Sequence, residues 1–119
     1  MSQPRPFLVL VDQLPMSGDD VRERVDLVIM ALALDLPVQL LFVGDGVWQL
    51  KAGQSPDRVG LHDSTAAWRS LDLYGLDQIW VDGEAMRARG LQADQLMLPA
   101  SVVDAEGLRR LMTECGSVL

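Results

Sequence analysis

The sequence predicts an α/β fold: a single three-layer domain, residues 1–119, with a mainly parallel five-stranded sheet and helices on both faces. Three observations predict it. Phe7–Val11 and Leu40–Val43 are short, continuous apolar runs without polar alternation, the pattern of strands buried on both faces. Apolar residues between these runs recur at helical spacing. Strand-like and helix-like segments then alternate to the end of the chain, an order that needs crossover connections and hence a parallel sheet. At 119 residues and 49% apolar composition, the chain has enough material for a real core and too much for disorder.

Taken in order, residues 1–5 are polar and proline-bearing, a loose end before the first strand at Phe7–Val11. Gln13–Asp19 carries Pro15 and Gly18 and reads as a loop. Asp20 and Glu23 have capping-box spacing and start a helix. Its buried face is Val21, Val25, Val28, Ile29 and Leu32, with Arg22, Glu23, Arg24 and Asp26 mainly opposite. Pro37 stops it before the central strand at Leu40–Val43. Gly44-Asp45-Gly46 then turns the chain, and Val47, Trp48 and Leu50 follow where a surface loop should be polar.

Lys51–Gly60 reads as a surface loop. A helix capped by Asp63 or Ser64 buries Ala67, Trp68, Leu71 and Tyr74, and Gly75 fits the left-handed position after its end. Gln78–Val81 is the third strand, ended by Asp82 and Gly83. A short helix, Glu84–Arg89, runs to Gly90. Gln95–Leu98 is the expected fourth strand, stopped by Pro99. Asp104 caps a last helix with an inner face of Leu108, Leu111, Met112 and Cys115, which Gly107 weakens by up to about 1 kcal/mol relative to alanine. Gly116 ends it, and Ser117-Val118-Leu119 supplies a very short fifth strand.

Charge narrows the function classes. Ten Lys and Arg against seventeen Asp and Glu give a net charge of −7, which disfavours direct contact with nucleic acid or an anionic membrane surface. Cys115 is the only cysteine, so the chain forms no internal disulfide. Met1–Pro6 lacks the apolar core of a signal peptide, and the Phe7–Val11 run is too short to cross a bilayer. A cytoplasmic location is expected.

Several constellations have a bland reading beside a chemical one. Gly44-Asp45-Gly46 lacks the lysine of a phosphate loop, and Gln49 stands where a dinucleotide fingerprint needs its third glycine. His62, the only histidine, adjoins Asp63 as a general base would, but no nucleophile is singled out beside it, and a helix-start residue near solvent is the simpler reading. One histidine and one cysteine far apart make a poor metal set. Cys115 falls on the apolar side of a helix, at the end where the backbone dipole opposes a thiolate, so it reads as structural. Trp48 either folds back onto its own domain or anchors an interface. Arg87 and Arg89 suit a helix C-terminus facing solvent. No catalytic residue, metal or cofactor is expected.

The Leu41-Phe42-Val43-Gly44-Asp45-Gly46-Val47-Trp48-Gln49-Leu50 segment resembles the Phe-x-x-Asp-Gly-Val segment of DsrE/DsrF-like proteins. The Gln49-Leu50 pair, the Leu73-Tyr74-Gly75-Leu76 run and the Trp80-Val81 strand resemble the TusC/DsrF branch. Met86-Arg87-Ala88-Arg89-Gly90-Leu91 matches that family's Leu-Arg-x-Arg-Gly-Leu pattern with Met in place of Leu. The likeness runs from Phe7 to Val118.

The resemblance implies a subunit of a TusBCD sulfur relay, a heterohexamer with TusB-like and TusD-like partners. Such a complex passes persulfide sulfur from a TusA-like donor to a TusE-like acceptor for 2-thiolation of tRNA wobble uridine. In TusD-like relatives the carrier cysteine ends the third strand, just before the helix that closes in Arg-Gly; the matching position here is Asp82. A carboxylate cannot carry a persulfide. The expectation is therefore a non-catalytic subunit, with Asp45, Gly46, Val47, Trp48 and Leu50 as its interface. The alternatives are a DsrF-like subunit of a sulfur-oxidising DsrEFH complex, a sulfurtransferase using Cys115, and a small-molecule domain using the Gly44–Gly46 turn.

Overall fold

The computed structural model describes residues 5–12, 19–51, 68, 70–76, 78–96, 98–115 and 117–118. Five strands, β1 Phe7–Val11, β2 Val38–Phe42, β3 Ile79–Asp82, β4 Ser101–Val103 and β5 Ser117–Val118, form one sheet in the order β4-β3-β2-β1-β5. Every neighbouring pair is parallel. β5 adds only two residues beside β1, so four strands carry most of the sheet. The helices are α1 Asp19–Ala33, α2 Gly83–Ala88 and α3 Ala105–Glu114. Single 3₁₀ segments cover Gly44–Leu50, Leu71–Tyr74 and Ala93–Gln95. The α/β class and the parallel sheet are those the sequence predicts.

The strand order explains how the two faces are covered. From β1 to β4 each crossover moves one strand in the same direction. Right-handed crossovers, the near-universal hand, place all three connections on one face. The return from β4 to β5 runs the other way and places α3 on the opposite face. The packing agrees. Val9, Val11, Leu40, Phe42 and Val81 share one cluster with Val25 and Val28 of α1, Trp68, Leu71, and Ala85 and Met86 of α2. Leu8, Leu41 and Cys115 form a second cluster, bordered by Leu10, Val43, Trp80 and Val103 of the sheet and by Leu108 and Leu111 of α3.

Polar groups inside this packing are paired. Gln49 is fully buried, and its Oε1 accepts a 2.8 Å bond from Trp68 Nε1. The Trp68 ring meets Phe42 edge-on, centroids 5.3 Å apart. On the other face, Trp80 Nε1 donates to Gln39 Oε1 at 2.8 Å, which accommodates a polar side chain in the middle of the central strand.

Several element ends differ from the sequence reading. α1 starts at Asp19, which puts Asp20 inside its first turn, and it ends at Ala33 rather than running to Pro37. Leu36 N–H bonds to Ala31 O, Asp35 N–H bonds to Leu32 O, and Asp35 takes a left-handed φ of 59°. That pair of bonds is a Schellman closure with Asp where glycine is usual. β2 starts at Val38 and ends one residue before Val43. The fourth strand is Ser101–Val103, not Gln95–Leu98. Gln95 Oε1 accepts from Gln92 N–H at 2.8 Å and closes a 3₁₀ turn, and Leu96 makes only an isolated antiparallel bridge to Lys51. The β-branched Val102 and Val103 beyond Pro99 pair with β3 instead.

Tyr74 and Met112, expected on inner faces, are exposed. Gly75 has the expected left-handed φ, at +92°. Asp104 caps α3 as expected, accepting from Gly107 N–H at 2.8 Å. The weak helix former Gly107 has a packing reason: a Cβ there would lie 3.2 Å from Asp104 Oδ1 and 3.3 Å from Val103 Cβ. The loop from 52 to Gly60, His62, the cap at Asp63 or Ser64, Ala67, Gly116 and Leu119 lie outside the described residues.

Two stability predictions follow from these local geometries. Asp35→Gly removes a side chain from left-handed backbone and a carboxylate from a helix C-terminus, and it should stabilise by about 0.5–1 kcal/mol net of the unfolded-state entropy of glycine. Urea denaturation measures it, and a loss of stability would contradict the Schellman geometry. Trp68→Phe removes the donor to buried Gln49 and should cost about 1–3 kcal/mol; a change below about 0.5 kcal/mol would show that the bond is not needed.

Candidate functional site

Parallel α/β sheets place functional groups at the carboxyl ends of their strands. Four segments meet there: the end of β1, the Gly44–Leu50 turn after β2, the Asp82–Arg89 segment after β3, and Val103–Gly107 after β4.

The turn after β2 folds inward. Val43 N–H bonds to Val11 O at 3.0 Å, and Gly46 N–H bonds to Val43 O at 2.8 Å. Gly46 is seated so closely on β1 that an added Cβ would fall 1.8 Å from the Val11 carbonyl oxygen. The backbone then rises as a 3₁₀ turn, and Val47 and Leu50 are fully buried in the first core cluster. Gly46, Val47 and Leu50 are thus occupied by this chain's own interior and are not surface for a partner, contrary to the sequence reading. Trp48 is half-buried and packs against the same cluster, with Lys51 Nζ 5.9 Å from its ring centroid. Only Asp45 of the five points to solvent.

Asp45 is held from across the site. Arg89 donates from Nη2 and Nε to Asp45 Oδ1 at 3.0 and 3.2 Å, and from Nη1 to Ala85 O at 3.1 Å. The side chains are 26% and 52% exposed, so the pair adds little stability, about 0–1 kcal/mol. Its effect is geometric: it ties the end of α2 to the Gly44–Leu50 turn. The sequence reading left Arg89 facing solvent. The two residues lie 44 positions apart, and no local pattern joins them.

Asp82 ends β3 and is the N-cap of α2, its Oδ1 accepting from Glu84 N–H at 3.1 Å. A helix N-terminus favours any anion, a thiolate included. Here a carboxylate holds the place. Beside it opens a cleft of about 370 Å³ lined by Gly83, Arg87, Val102, Val103, Asp104 and Gly107. The Asp104 carboxylate of that cleft is engaged by the first turn of α3. Among the described residues, the cleft walls carry no thiol, hydroxyl or imidazole.

The thiol lies elsewhere. Cys115 closes α3, 8% exposed, its N–H bonded to Leu111 O at 3.1 Å. The chain then enters β5, whose Ser117 is level with Phe7 at the amino end of β1. Cys115 therefore sits on the second face, towards the amino ends of the strands, away from Asp82. Burial, aided by the neighbouring Glu114 carboxylate, raises its pKa above the ordinary thiol value. Among the described residues, no group of three His, Cys, Asp or Glu side chains is placed to hold a metal, and no helix is long and apolar enough to cross a membrane.

Comparison with known proteins places this arrangement. The model of the DsrE/DsrF-like family matches residues 6–119. A Protein TusC homolog from Pseudomonas aeruginosa is 36% identical over 113 residues, covering 95% of each chain. Protein TusC from Escherichia coli is 34% identical over 99 residues, covering 82% of this chain and 83% of that one. Among solved structures, the ychN protein from E. coli superposes with a TM-score of 0.81 over 97% of both chains at 14% identity, a likeness of fold. The chain belongs to the DsrE/DsrF-like family, in its TusC branch.

Proposed function

We propose that the chain, as one domain of residues 1–119, is a non-catalytic subunit of a cytoplasmic TusBCD-type sulfur relay. It completes a heterohexamer with TusB-like and TusD-like chains. The assembly passes persulfide sulfur from a TusA-like donor to a TusE-like acceptor, for 2-thiolation of tRNA wobble uridine. One observation carries the non-catalytic part: the only thiol is buried behind the sheet, while the carrier position of TusD-like relatives is a helix-capping carboxylate. Persulfide exchange needs an accessible thiolate. Cys115 is neither exposed nor easily ionised. Sulfur must then rest on a partner's cysteine, and this chain's part is to hold that partner.

The same burial argues against a sulfurtransferase built on Cys115. Its raised folded-state pKa means that the native thiol keeps its proton through neutral pH. The stabilisation linked to that proton is present below the unfolded thiol pKa and is lost as pH rises through the folded one. Alkylation of Cys115 in the native chain should be at least about tenfold slower at pH 7 than after unfolding.

The decisive experiment co-expresses the Cys115→Ser chain with TusB-like and TusD-like subunits, records the native mass, and follows sulfur from donor to acceptor. Wild-type assembly and a transfer rate within about twofold of wild type are expected. Loss of transfer by about tenfold or more in an intact assembly would assign the thiol a carrier role. In a strain lacking the subunit, both versions should restore 2-thiouridine. Assembly without restoration would favour the sulfur-oxidation reading.

A further inference from the structure

Val47, Gln49 and Leu50 face inward and offer a partner no surface, so the exposed apolar side chains of the other elements are the place to look for one. Residues 27–34, Leu-Val-Ile-Met-Ala-Leu-Ala-Leu, are eight consecutive apolar positions and span more than two helical turns. A helix covered on one side only should be polar on the other. α1 is covered on one side: Val25 and Val28 are buried, and Ile29, Ala31 and Leu32 pack against the same cluster. On the outer side, Leu27, Met30 and Leu34 share one stripe at i, i+3 and i+7 and are 38%, 62% and 66% exposed. Leu36, just past the Schellman turn, continues it at 38%. Four of the seven large apolar side chains exposed among the described residues thus lie between positions 27 and 36, whereas Val102 and Met112 lie on other elements. A concentration of that kind marks an interaction surface.

The rim decides the occupant. Exposed Glu23 and Asp26 flank one end of the stripe, and exposed Asp35 flanks the other, on a chain of net charge −7. A second copy could pair α1 with α1 about a two-fold axis in two ways. Antiparallel helices would set Glu23 and Asp26 against the copy's Asp35. Parallel helices would set Glu23 and Asp26 against themselves. Both bring like charges together beside a drying interface, which costs binding energy.

We propose that the outer face of α1, centred on Met30 and Leu34, is the docking surface for a different chain, a sister subunit of the relay whose apolar contact face is rimmed by Lys and Arg. The proposal rests on the relay reading above and adds the surface and the charge of the partner. Exposed apolar side chains contribute only when a partner covers them, which accounts for a stripe the monomer does not use.

The test uses the full chain co-expressed with TusB-like and TusD-like subunits. Met30→Asp with Leu34→Asp should leave the circular dichroism spectrum and thermal midpoint of the isolated chain unchanged and weaken its association at least about tenfold. The milder pair Met30→Gln with Leu34→Gln serves if the charged pair disturbs the fold. Asp26→Lys with Asp35→Lys should weaken association too, and wild-type affinity should fall as salt rises from about 50 to about 500 mM. Peroxide should oxidise Met30 in the isolated chain and be excluded from it in the assembly. Undiminished association of both Met30/Leu34 pairs overturns the surface while leaving the relay reading standing. Protection of Met30 in the isolated chain overturns it too, as does a wild-type homodimer broken by the same substitutions. Unaltered affinity of the lysine variant overturns the basic rim. Failure of the wild-type chain to join any sister subunit overturns the relay reading itself.

Discussion

Gly46 lies buried with its Cα against the carbonyl of Val11, closer than any side chain would allow. Much of the carboxyl end of the sheet depends on that seating. It presses the turn after β2 onto the end of β1, so the next residues go down into the core rather than out to solvent. Val47 and Leu50 then fill space under the first-face helices, and Gln49 arrives beside the indole of Trp68. Asp45, left outside, is in reach of Arg89 and so ties the turn to the end of α2, whose other end is capped by Asp82. Overpacking a core usually costs about 1–3 kcal/mol. A methyl at Gly46 meets backbone, which has less room to yield than a side chain.

Strand order supplies the second constraint. Three crossovers in one direction load one face of the sheet, and the single return places α3 on the other. The sole thiol is carried at the end of α3, so it emerges at the amino end of the sheet. Asp82, at the carboxyl end, is a helix cap. The chain thus keeps the DsrE/DsrF-like fold while its own sulfur sits on the far side of the sheet from that cap. What it presents outward is the apolar side of α1.

Most of the fold was legible in the sequence because local signals agreed with global ones. The Phe7–Val11 run, the Asp104 cap and Gly75 each have one cheap conformation, and the fold uses it. The fourth strand was misplaced because Gln95–Leu98 is apolar enough to mimic a strand, while a Gln95 side-chain bond to Gln92 closes a turn that composition does not reveal. The site was less legible. A glycine pair normally marks a loop, so the apolar residues after Gly44-Asp45-Gly46 read as surface, and only the approach to Val11 shows that this turn points inward. The Arg89–Asp45 and Trp68–Gln49 pairs join residues 44 and 19 positions apart, beyond any spacing rule. Cys115 reads as structural from its place on an apolar helix face, and it is buried there, whereas the cap that Asp82 makes on α2 is not visible in a reading that only ends β3 at that residue.

On the proposed function, sulfur passes by this chain and not through it. The most direct measurement loads the assembled complex with persulfide sulfur from a TusA-like donor, quenches it, and weighs each intact subunit by mass spectrometry. An added sulfur atom is expected on a partner's cysteine, with the mass of this chain unchanged. An added sulfur on this chain, mapped to Cys115, would contradict it.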